Sequence, residues 1–397
     1  MRKGPRLDLS QFTQIVRVED DWAEVEPRVT MRKLVKTLFP KIPPVVPEFT
    51  DITVGGAIMG GALESSSWKY GQFSDCCLEY ELVLGNGEVV HASPKENPDL
   101  FYGVSGSYGT LGVLTLVRLR LIKAKKSVRI TTLEGDLKNF YTPPSCDFLD
   151  AIRYSPEKSV TMLGNFCDDT PTLKPRFFYT QMREAKEVVL ATPHYLFRYD
   201  HGAFWMGRFL FSHKMFWHAV SRTSPAKTVE SMKPSRLLRF LWGRFCSSAL
   251  LYRLLHSIPQ KMIEESFFIH DFYTPIEEVE RFLKKNSIYP IWLCPIKSTE
   301  TPQIFSPHKS KKTLVNVGLY GAFQKSLDQE IAYLGGRKML YSLTSYSEEE
   351  FRALYDVEAY DALRKKFYAE KIFPHVYDKI VWNRKSTPQK ITTSETT

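Results

Sequence analysis

No uncharged stretch of this 397-residue chain supplies the roughly 18 apolar residues that a membrane-spanning helix requires. Its N-terminus, Met1-Arg2-Lys3-Gly4-Pro5, carries no apolar run, so no secretory leader is visible. There is no Asn-x-Ser/Thr sequon. The six cysteines, Cys76, Cys77, Cys146, Cys167, Cys246 and Cys294, form no Cys-x-x-Cys pair and stand at no zinc spacing with histidine. A thiol redox motif and a structural metal site are thereby excluded. Buried, reduced thiols in a reducing compartment are expected instead. Cys76 and Cys77 lie in a strand pattern and are expected to face opposite sides.

Two familiar phosphate-binding signatures are missing as well. A P-loop needs Gly-Lys-Ser/Thr after its second glycine, whereas Gly60-Gly61 leads into Ala62-Leu63. A dinucleotide fingerprint needs Gly-x-Gly-x-x-Gly at the start of a long helix. Here Gly55 and Gly56 are adjacent, Gly60 follows four residues on, and no helix is expected to begin there. The net charge of +10 is spread diffusely and no nucleic-acid motif accompanies it. It reads as a solvated surface biased toward acidic partners, with no nucleic acid among them.

What is present is a concentration of glycine and hydroxyl groups between Thr53 and Gly71. Gly55, Gly56, Gly60, Gly61 and Gly71 stand close together, with Ser65, Ser66 and Ser67 between them. Glycine lets backbone approach a ligand closely, and exposed N–H groups in such turns suit a phosphate. A simple glycine-rich turn between two strands has the same spacing, and spacing alone leaves both readings open.

The length suggests two domains. Phe12 to Glu19 and Trp22 to Pro27 read as strands, and a helix from about Thr30 presents Leu34, Val35 and Leu38. Pro40, Pro43, Pro44 and Pro47 extend the connection into the glycine stretch. Cys76 to Leu84 reads as a buried strand, turned by Gly85-Asn86-Gly87 into Glu88 to Ala92. Ser93-Pro94 predicts a helix start. A strand follows Ser107-Tyr108-Gly109-Thr110-Leu111-Gly112, with Val113, Val117, Leu119 and Leu121 on one face and Arg118 and Arg120 on the other. The first domain is expected to end near Lys125.

Residues 193–260 are rich in aromatic and basic side chains, as in Leu237-Leu238-Arg239-Phe240-Leu241-Trp242. A packed helical insertion and an interfacial membrane helix are both open readings, though Arg239, Arg244 and Arg253 fall on different sides of a wheel. His194, His201, His213, His218 and His256 share no face and read as structural. Beyond them, Ser266–Tyr273, Tyr289–Pro295, Leu314–Gly321 and Met339–Leu343 read as strands. Helices are expected after a Thr274-Pro275-Ile276-Glu277 cap, with Ile276, Val279 and Leu283 buried, and over Leu327–Leu334 up to Gly335-Gly336. Ser347-x-x-Glu350 caps another helix. This β-α-β-β-α-β order is the split ferredoxin-like unit. The polar tail after Ser386 is expected to be disordered.

Several literal motifs then resemble the Δ24-sterol reductases, the Diminuto/seladin group of the vanillyl-alcohol-oxidase-like flavoproteins. They are Thr-Val-Gly-Gly-Ala-Ile-Met-Gly at 53–60, Glu-Ser-Ser-Ser at 64–67, Lys-Tyr-Gly at 69–71 and Tyr-Glu-Leu-Val-Leu at 80–84. Asp-Leu-Phe-Tyr at 99–102, Gly-Thr-Leu-Gly at 109–112, Tyr-Pro-Ile-Trp-Leu-Cys-Pro at 289–295 and Pro-x-Val-Tyr-Asp-Lys-Ile at 374–380 extend the resemblance over nearly the whole chain.

The resemblance implies an α+β fold: the C-terminal lobe of a bipartite FAD-binding (PCMH-type) domain over residues 1–125, then a ferredoxin-like substrate cap over 126–385. The aromatic insertion and a tail over 386–397 complete it. It implies cofactor contacts from Thr53, Val54, Gly55, Gly56, Ala57, Ile58, Met59, Gly60, Gly61, Ala62, Leu63, Glu64 and Ser65. Gly109, Thr110, Leu111, Gly112 and Val113 would form a second segment near the flavin. The implied reaction is NADPH-driven reduction of a sterol side-chain double bond through FAD, at the endoplasmic reticulum membrane with peripheral contact. Relatives that tether FAD do so through a histidine, and none precedes His91 here, so FAD is expected to be non-covalent.

Two departures stand out. The chain starts near the end of the family's first FAD lobe, so part of the cofactor grip is expected to be missing. Ala62 also occupies a position where the family commonly has glycine. An alcohol or sugar oxidase of the same superfamily, and a non-catalytic lipid binder, remain alternatives. Lys69, Tyr70, Glu64, Tyr320 and Tyr341 are the polar residues on matched segments, and none is singled out as a catalytic acid.

Overall fold

A computed structural model describes residues 7–200 and 268–381, apart from short interruptions at 136, 143–144, 176, 287, 298–303, 306–311, 322–325 and 342–343. Most of the aromatic insertion and the tail after 386 lie outside the described residues, as does Cys246.

The chain opens with β1 (Ile15–Val18), β2 (Trp22–Val25) and α1 (Met31–Leu38). Thr30 caps α1 by accepting from the Lys33 amide, and Met31, Leu34, Val35 and Leu38 are buried. After β3 (Lys41–Ile42) the glycine stretch forms a true helix, α2 (Val54–Gly60), where none was expected. The Thr53 hydroxyl caps it by accepting from the Gly56 amide, and Gly61 ends it at φ +68°. The Ala62 and Gly61 amides both reach back to the Ala57 carbonyl, which closes the last turn. Capping at both ends holds a helix that glycine content alone disfavours.

A four-residue turn of helix, α3 (Ser67–Tyr70), and a 3-10 turn over Phe73–Cys76 lead into β4 (Cys77–Val83). Cys76 therefore closes the 3-10 turn rather than starting the strand, and both Cys76 and Cys77 are buried. The Gly85–Gly87 turn leads to β5 (Val89–Ala92). The next helix, α4 (Pro98–Val104), starts later than Ser93-Pro94. The Ser93 hydroxyl accepts from the Lys95 and Glu96 amides in a local turn, and left-handed Asn97 at φ +46° separates that turn from α4. Strand β6 (Val113–Arg120) completes an antiparallel sheet in the order β1-β2-β6-β4-β5. Thr115 is the extra residue of a bulge opposite Glu81, so Leu114 is buried while Val113 is only partly so.

A short β7 (Ile122–Lys123) pairs with β3, and the chain then enters a second, eight-stranded antiparallel sheet. Its first half is β8 (Ser127–Glu134), β9 (Phe148–Arg153), β10 (Ser159–Cys167) and β11 (Glu187–Ala191). Small helices α5 (Lys138–Tyr141), α6 (Phe178–Gln181) and α7 (Thr192–Leu196) punctuate it. The second half is β12 (Phe268–Pro275), α8 (Ile276–Lys285), β13 (Ile291–Ile296), β14 (Leu314–Gly321), α9 (Ser326–Tyr333) and β15 (Arg337–Lys338). Sheet order is β11-β8-β10-β9-β13-β14-β12-β15.

Its last four strands therefore follow the second-third-first-fourth order of a split β-α-β-β-α-β unit. Two boundaries differ from expectation. Thr274 and Pro275 belong to β12 rather than to a capping box, and the Thr274 hydroxyl donates to the Leu334 carbonyl at 3.4 Å. The last strand is Arg337–Lys338 rather than Met339–Leu343, because Lys338 turns inward onto Asp328. Helices α10 (Glu348–Leu354), with the expected Ser347–Glu350 capping box, α11 (Val357–Lys366) and α12 (Val376–Ile380) close the described chain.

The two faces of the second sheet do different work. Leu149, Ala151, Phe272, Leu293, Val315 and Val317 pack under α8 and α9 in one core. Alternate residues of the same strands, including Phe148, Ile152, Tyr273, Trp292 and Cys294, join a larger core shared with the first sheet. The functional question lies in that shared seam.

Candidate functional site

Helix α2 sits at the seam, and its two ends have different fates. At its start the Val54 amide donates to the Val29 carbonyl at 2.9 Å, and the Gly55 amide to Pro27 at 2.8 Å. With Gly56 held by Thr53, these first amides are taken by the protein itself. A Cβ on Gly55 would lie 2.8 Å from the Pro27 Cβ, so glycine is required there for close backbone packing. At the other end a Cβ on Gly60 would meet nothing within 4 Å. Open space therefore borders the C-terminal turn of α2.

The second expected segment meets this same turn. The Gly106 amide donates to Ile58 O at 3.1 Å, the Tyr108 amide to Met59 O at 3.3 Å and the Gly109 amide to Met59 Sδ at 3.3 Å. Gly106, Tyr108 and Gly109 all have positive φ, at +70°, +59° and +66°. The loop is locked from the far side by α11. Tyr360 donates to Thr110 Oγ1 at 2.6 Å, and buried Arg364 donates to Thr110 O at 2.7 Å. Leu111 is buried, while Val113 begins β6. The two segments singled out in the sequence are thus in direct contact.

Between them lies a small cleft, with about 10 Å³ of open space, lined by Gly60, Gly61, Gln72, Ser105, Gly106, Tyr108, Phe305, Met339 and Leu340. Its wall is drawn from both sides of the seam. Gln72 bridges it, donating through Nε2 to Gly61 O at 3.2 Å and to the Tyr273 hydroxyl at 2.7 Å.

Leu63, Glu64 and Ser65 turn the other way, into the seam. The Ser65 carbonyl accepts from the Leu149 amide at 2.7 Å, and the Ser67 carbonyl from Lys297 at 2.9 Å. Cys294 Sγ donates to Glu64 O at 3.3 Å. The three serines are all buried, and they stitch the first domain to β9 and β13. The Glu64 carboxylate meets Arg198 at 3.1 Å, and Arg198 also reaches Asp150 at 3.1 Å. Tyr199 and Trp292 donate to the same Asp150 oxygen at 2.8 and 3.0 Å. Burial lifts the Glu64 carboxyl above its usual range and the guanidinium opposes it. Burial works against the Arg198 charge, but Glu64, Tyr195, Asp150 and Tyr199 together outweigh it and keep the guanidinium charged.

Arg198 and Asp150 escaped the sequence reading. Asp150 did leave a signal, as the one carboxylate inside the apolar run Phe148–Ile152. Another buried acid, Asp271 on β12, is pushed up to about 6 by burial and accepts from Tyr341 and from Asn316. Of the other polar residues considered, Lys69 is paired with Asp147 at 3.2 Å and its ammonium sits over the Tyr70 ring. The Tyr320 side chain lies outside the described residues, as do all the singled-out histidines except His194. Among the described residues no cluster of His, Cys, Asp or Glu suits a metal, and no disulfide joins the five cysteines.

Comparison with known proteins agrees with this geometry. Residues 2–93 match a sequence family described as an FAD binding domain. Delta(24)-sterol reductase of Homo sapiens is 30% identical over 416 residues, covering 94% of this chain and 75% of that protein. The Mus musculus protein of the same name is 29% identical over 413 residues, with the same coverage of both chains. Delta(24)-sterol reductase of Arabidopsis thaliana is 28% identical over 448 residues, covering 96% of this chain and 77% of that protein. The domain match and the similarity to these reductases make the chain an FAD-dependent oxidoreductase. Within that class, the chain belongs to the Delta(24)-sterol reductase family.

The turn at Gly60, which has no Cβ, borders the cleft, and Tyr108, which also lines it, has a buried hydroxyl with no partner among the described residues. The open space within it, about 10 Å³, is far below the roughly 300–1,000 Å³ of ligand pockets, so the cleft as it stands does not enclose a portion of FAD.

Proposed function

We propose that the protein reduces the C24–C25 double bond of a sterol side chain, using NADPH as electron donor and non-covalently bound FAD. The observation that carries this reading is the joining of α2 and the Gly109 loop at a cleft whose far wall, Phe305, Met339 and Leu340, comes from loops that follow strands of the second sheet. A flavin, when bound, supplies hydride transfer to an alkene that has no activating group.

In this reading residues 1–125 hold the cofactor and residues 126–385 cover the substrate. Gly60 and Gly61 border the cofactor directly, as do Gly106 and Gly109. Thr53 through Ile58 and Ala62 through Ser65 shape the helix and bind it to the cap. Thr110 to Val113 fix the second loop. Apolar Phe305, Met339 and Leu340 exclude water from the ring and from the sterol tail laid against it. Peripheral contact with the endoplasmic reticulum membrane belongs to this reading, and residues 201–260, where the sequence would put it, lie outside the described residues. Among the described residues no helix is long and apolar enough to cross a membrane.

The test is an absorbance spectrum of the purified chain with added FAD, read at the flavin band near ~450 nm. Bleaching of that band by NADPH under anaerobic conditions, followed by conversion of desmosterol, is the expected outcome. A chain that holds FAD but reacts only with alcohols, forming peroxide and ignoring NADPH, would overturn the reductase assignment.

A further inference from the structure

Glu48 lies in the connection between β3 and α2, and that connection reaches into the seam. Its neighbours Val46, Pro47, Phe49 and Thr50 are all buried. The Arg32 amide donates to Thr50 O at 3.0 Å and the Met31 amide to Ile52 O at 2.8 Å, which ties the segment to the start of α1. The Thr50 hydroxyl donates to Asp200 at 3.1 Å, two residues beyond Arg198. The charged groups that act on the Glu48 carboxyl come from both sides of the seam. They are Glu64 after α2, Asp271 on β12 and Arg198 after α7. Cys294 on β13 feels the Glu48 charge in turn. Glu48 therefore faces the inner side of the second sheet from the first domain.

The neighbouring acids of the seam are committed. Arg198 and Ser65 hold Glu64; Arg198, Tyr199 and Trp292 hold Asp150; Tyr341 and Asn316 hold Asp271. All three of these carboxylates are buried. Glu48 differs in both respects. Among the described residues no other residue donates to its carboxyl, and the side chain is half-buried rather than sealed. Arg198, the cation that acts on it, is already shared between Glu64 and Asp150. Burial, with the Glu64 and Asp271 charges added to it, pushes the Glu48 carboxyl up to about 8, so the group keeps its proton at neutral pH. A neutral acid that is reachable and not hydrogen-bonded by its neighbours has a proton to give.

Saturating a carbon–carbon double bond adds a hydride to one carbon and a proton to the other, and the proton needs an acid at hand. We propose that Glu48 is the catalytic acid that protonates the substrate double bond at the seam. The proposal rests on the reductase reading above and adds the proton source that this reading leaves unassigned. The Glu48 O–H bond breaks as the π electron pair forms a C–H bond at one alkene carbon. The other carbon takes the hydride, so the alkene gains two electrons and the reduced flavin of that reading loses them. Glu48 is left as a carboxylate and regains its proton from water, which its partial exposure admits.

The test compares the full chain with Glu48→Gln, which keeps the shape and removes the acid, and with Glu48→Asp. One measurement needs neither FAD nor turnover: urea unfolding of the FAD-free chain from about pH 5 to about pH 9. A carboxyl whose folded-state pKa is raised loses its stabilising contribution as pH rises through that value. The unsubstituted chain should therefore lose stability over this range relative to Glu48→Gln. The other measurement follows flavin colour without oxygen, first bleached by NADPH and then restored by desmosterol. Glu48→Gln is expected to bleach within about 3-fold of the normal rate and to recover at least about 100-fold more slowly, with Glu48→Asp in between. Parallel stability profiles would overturn the proposal, because Glu48 would then not hold a proton at neutral pH. Recovery of Glu48→Gln at the normal rate would overturn it too, and so would an equal loss of bleaching and recovery, the mark of a residue that only shapes the fold. Failure of the unsubstituted chain to bind FAD, or to pass electrons to desmosterol, would overturn the reductase reading and the proposal with it.

Discussion

Arg198 lies 3.1 Å from the Glu64 carboxylate, and both side chains are almost wholly shielded from water. They come from opposite sides of the seam, so the pair acts as a latch between the first domain and the second sheet. Replacing Arg198 by Ala leaves Glu64 and Asp150 buried without a counter-charge. The expected loss is about 3–5 kcal/mol of stability at neutral pH, measured by urea unfolding. The loss should shrink toward pH 5. Without the guanidinium the folded-state pKa of Glu64 rises further, so stability is present at low pH and lost as pH rises through that value. A deficit independent of pH would mean that the carboxylates find other partners.

Two glycines of one short helix should answer differently to alanine. A Cβ on Gly55 meets Pro27 at 2.8 Å, so Gly55→Ala is expected to destabilise by about 1–3 kcal/mol through overpacking. A Cβ on Gly60 meets no protein atom within 4 Å, and Gly60→Ala should stabilise the chain by up to about 1 kcal/mol. That same Cβ enters the cleft, so FAD affinity should fall by roughly tenfold, about 1.4 kcal/mol. Thermal unfolding and FAD titration of both variants decide the matter. If Gly60→Ala binds FAD as tightly as before, the C-terminal turn of α2 is not a cofactor wall.

Local signals in the sequence survived contact with the structure better than relational ones. The helix start near Thr30, the Ser347 cap, the Gly85–Gly87 turn and the buried stripe of Ile276, Val279 and Leu283 depend on neighbours within a few residues, and all formed. The helix at Val54–Gly60 was hidden because glycine lowers propensity, while the caps and the packing of Gly55 on Pro27 that rescue it are tertiary or lie at its ends. Strands β8 to β11 gave no readable pattern of their own, and their union with β12 to β15 into one sheet depends on the β9–β13 pairing. Arg198 meets Glu64 across 134 positions, a partnership that spacing does not encode.

The buried group around Asp328 should make the chain sensitive to acid. Asp328 accepts from His270 at 2.8 Å, Lys338 at 2.9 Å and the Ser345 amide at 2.7 Å. Burial works against its charge, yet the His270 bond and the Lys338 ammonium outweigh it and hold the carboxyl below its ordinary 3.8. Burial also keeps His270 below 6.5, so Lys338 is the standing cation at neutral pH and His270 is a neutral donor. Both folded-state pKa values are depressed. The stability they contribute is therefore present above the unfolded values and lost as pH falls, first below about 6.5 and then below about 3.8. Asp328→Asn should cost about 3 kcal/mol at pH 7 and flatten the acid limb of a stability profile. An unchanged limb would place the acid-sensitive groups elsewhere.

Arg364 offers a way to disturb the cofactor loop from outside the cleft. Its guanidinium donates to Thr110 O at 2.7 Å, Phe373 O at 2.6 Å, Pro374 O at 3.2 Å, Ala369 O at 3.2 Å and Glu370 O at 3.3 Å. A lysine has one ammonium and three protons, so it cannot reach this fan of carbonyls. Arg364→Lys leaves buried acceptors unpaired, and about 2–4 kcal/mol of stability should be lost on that account. The loop from Tyr108 to Thr110 is then released from α11, and FAD affinity should fall by more than it does in Gly55→Ala, which is destabilised at the far end of α2. Both variants are compared by FAD titration at a temperature where each remains folded. Equal affinities would mean that the loop keeps its shape without Arg364, and that the anchor serves the packing of the C-terminal helices rather than the cofactor.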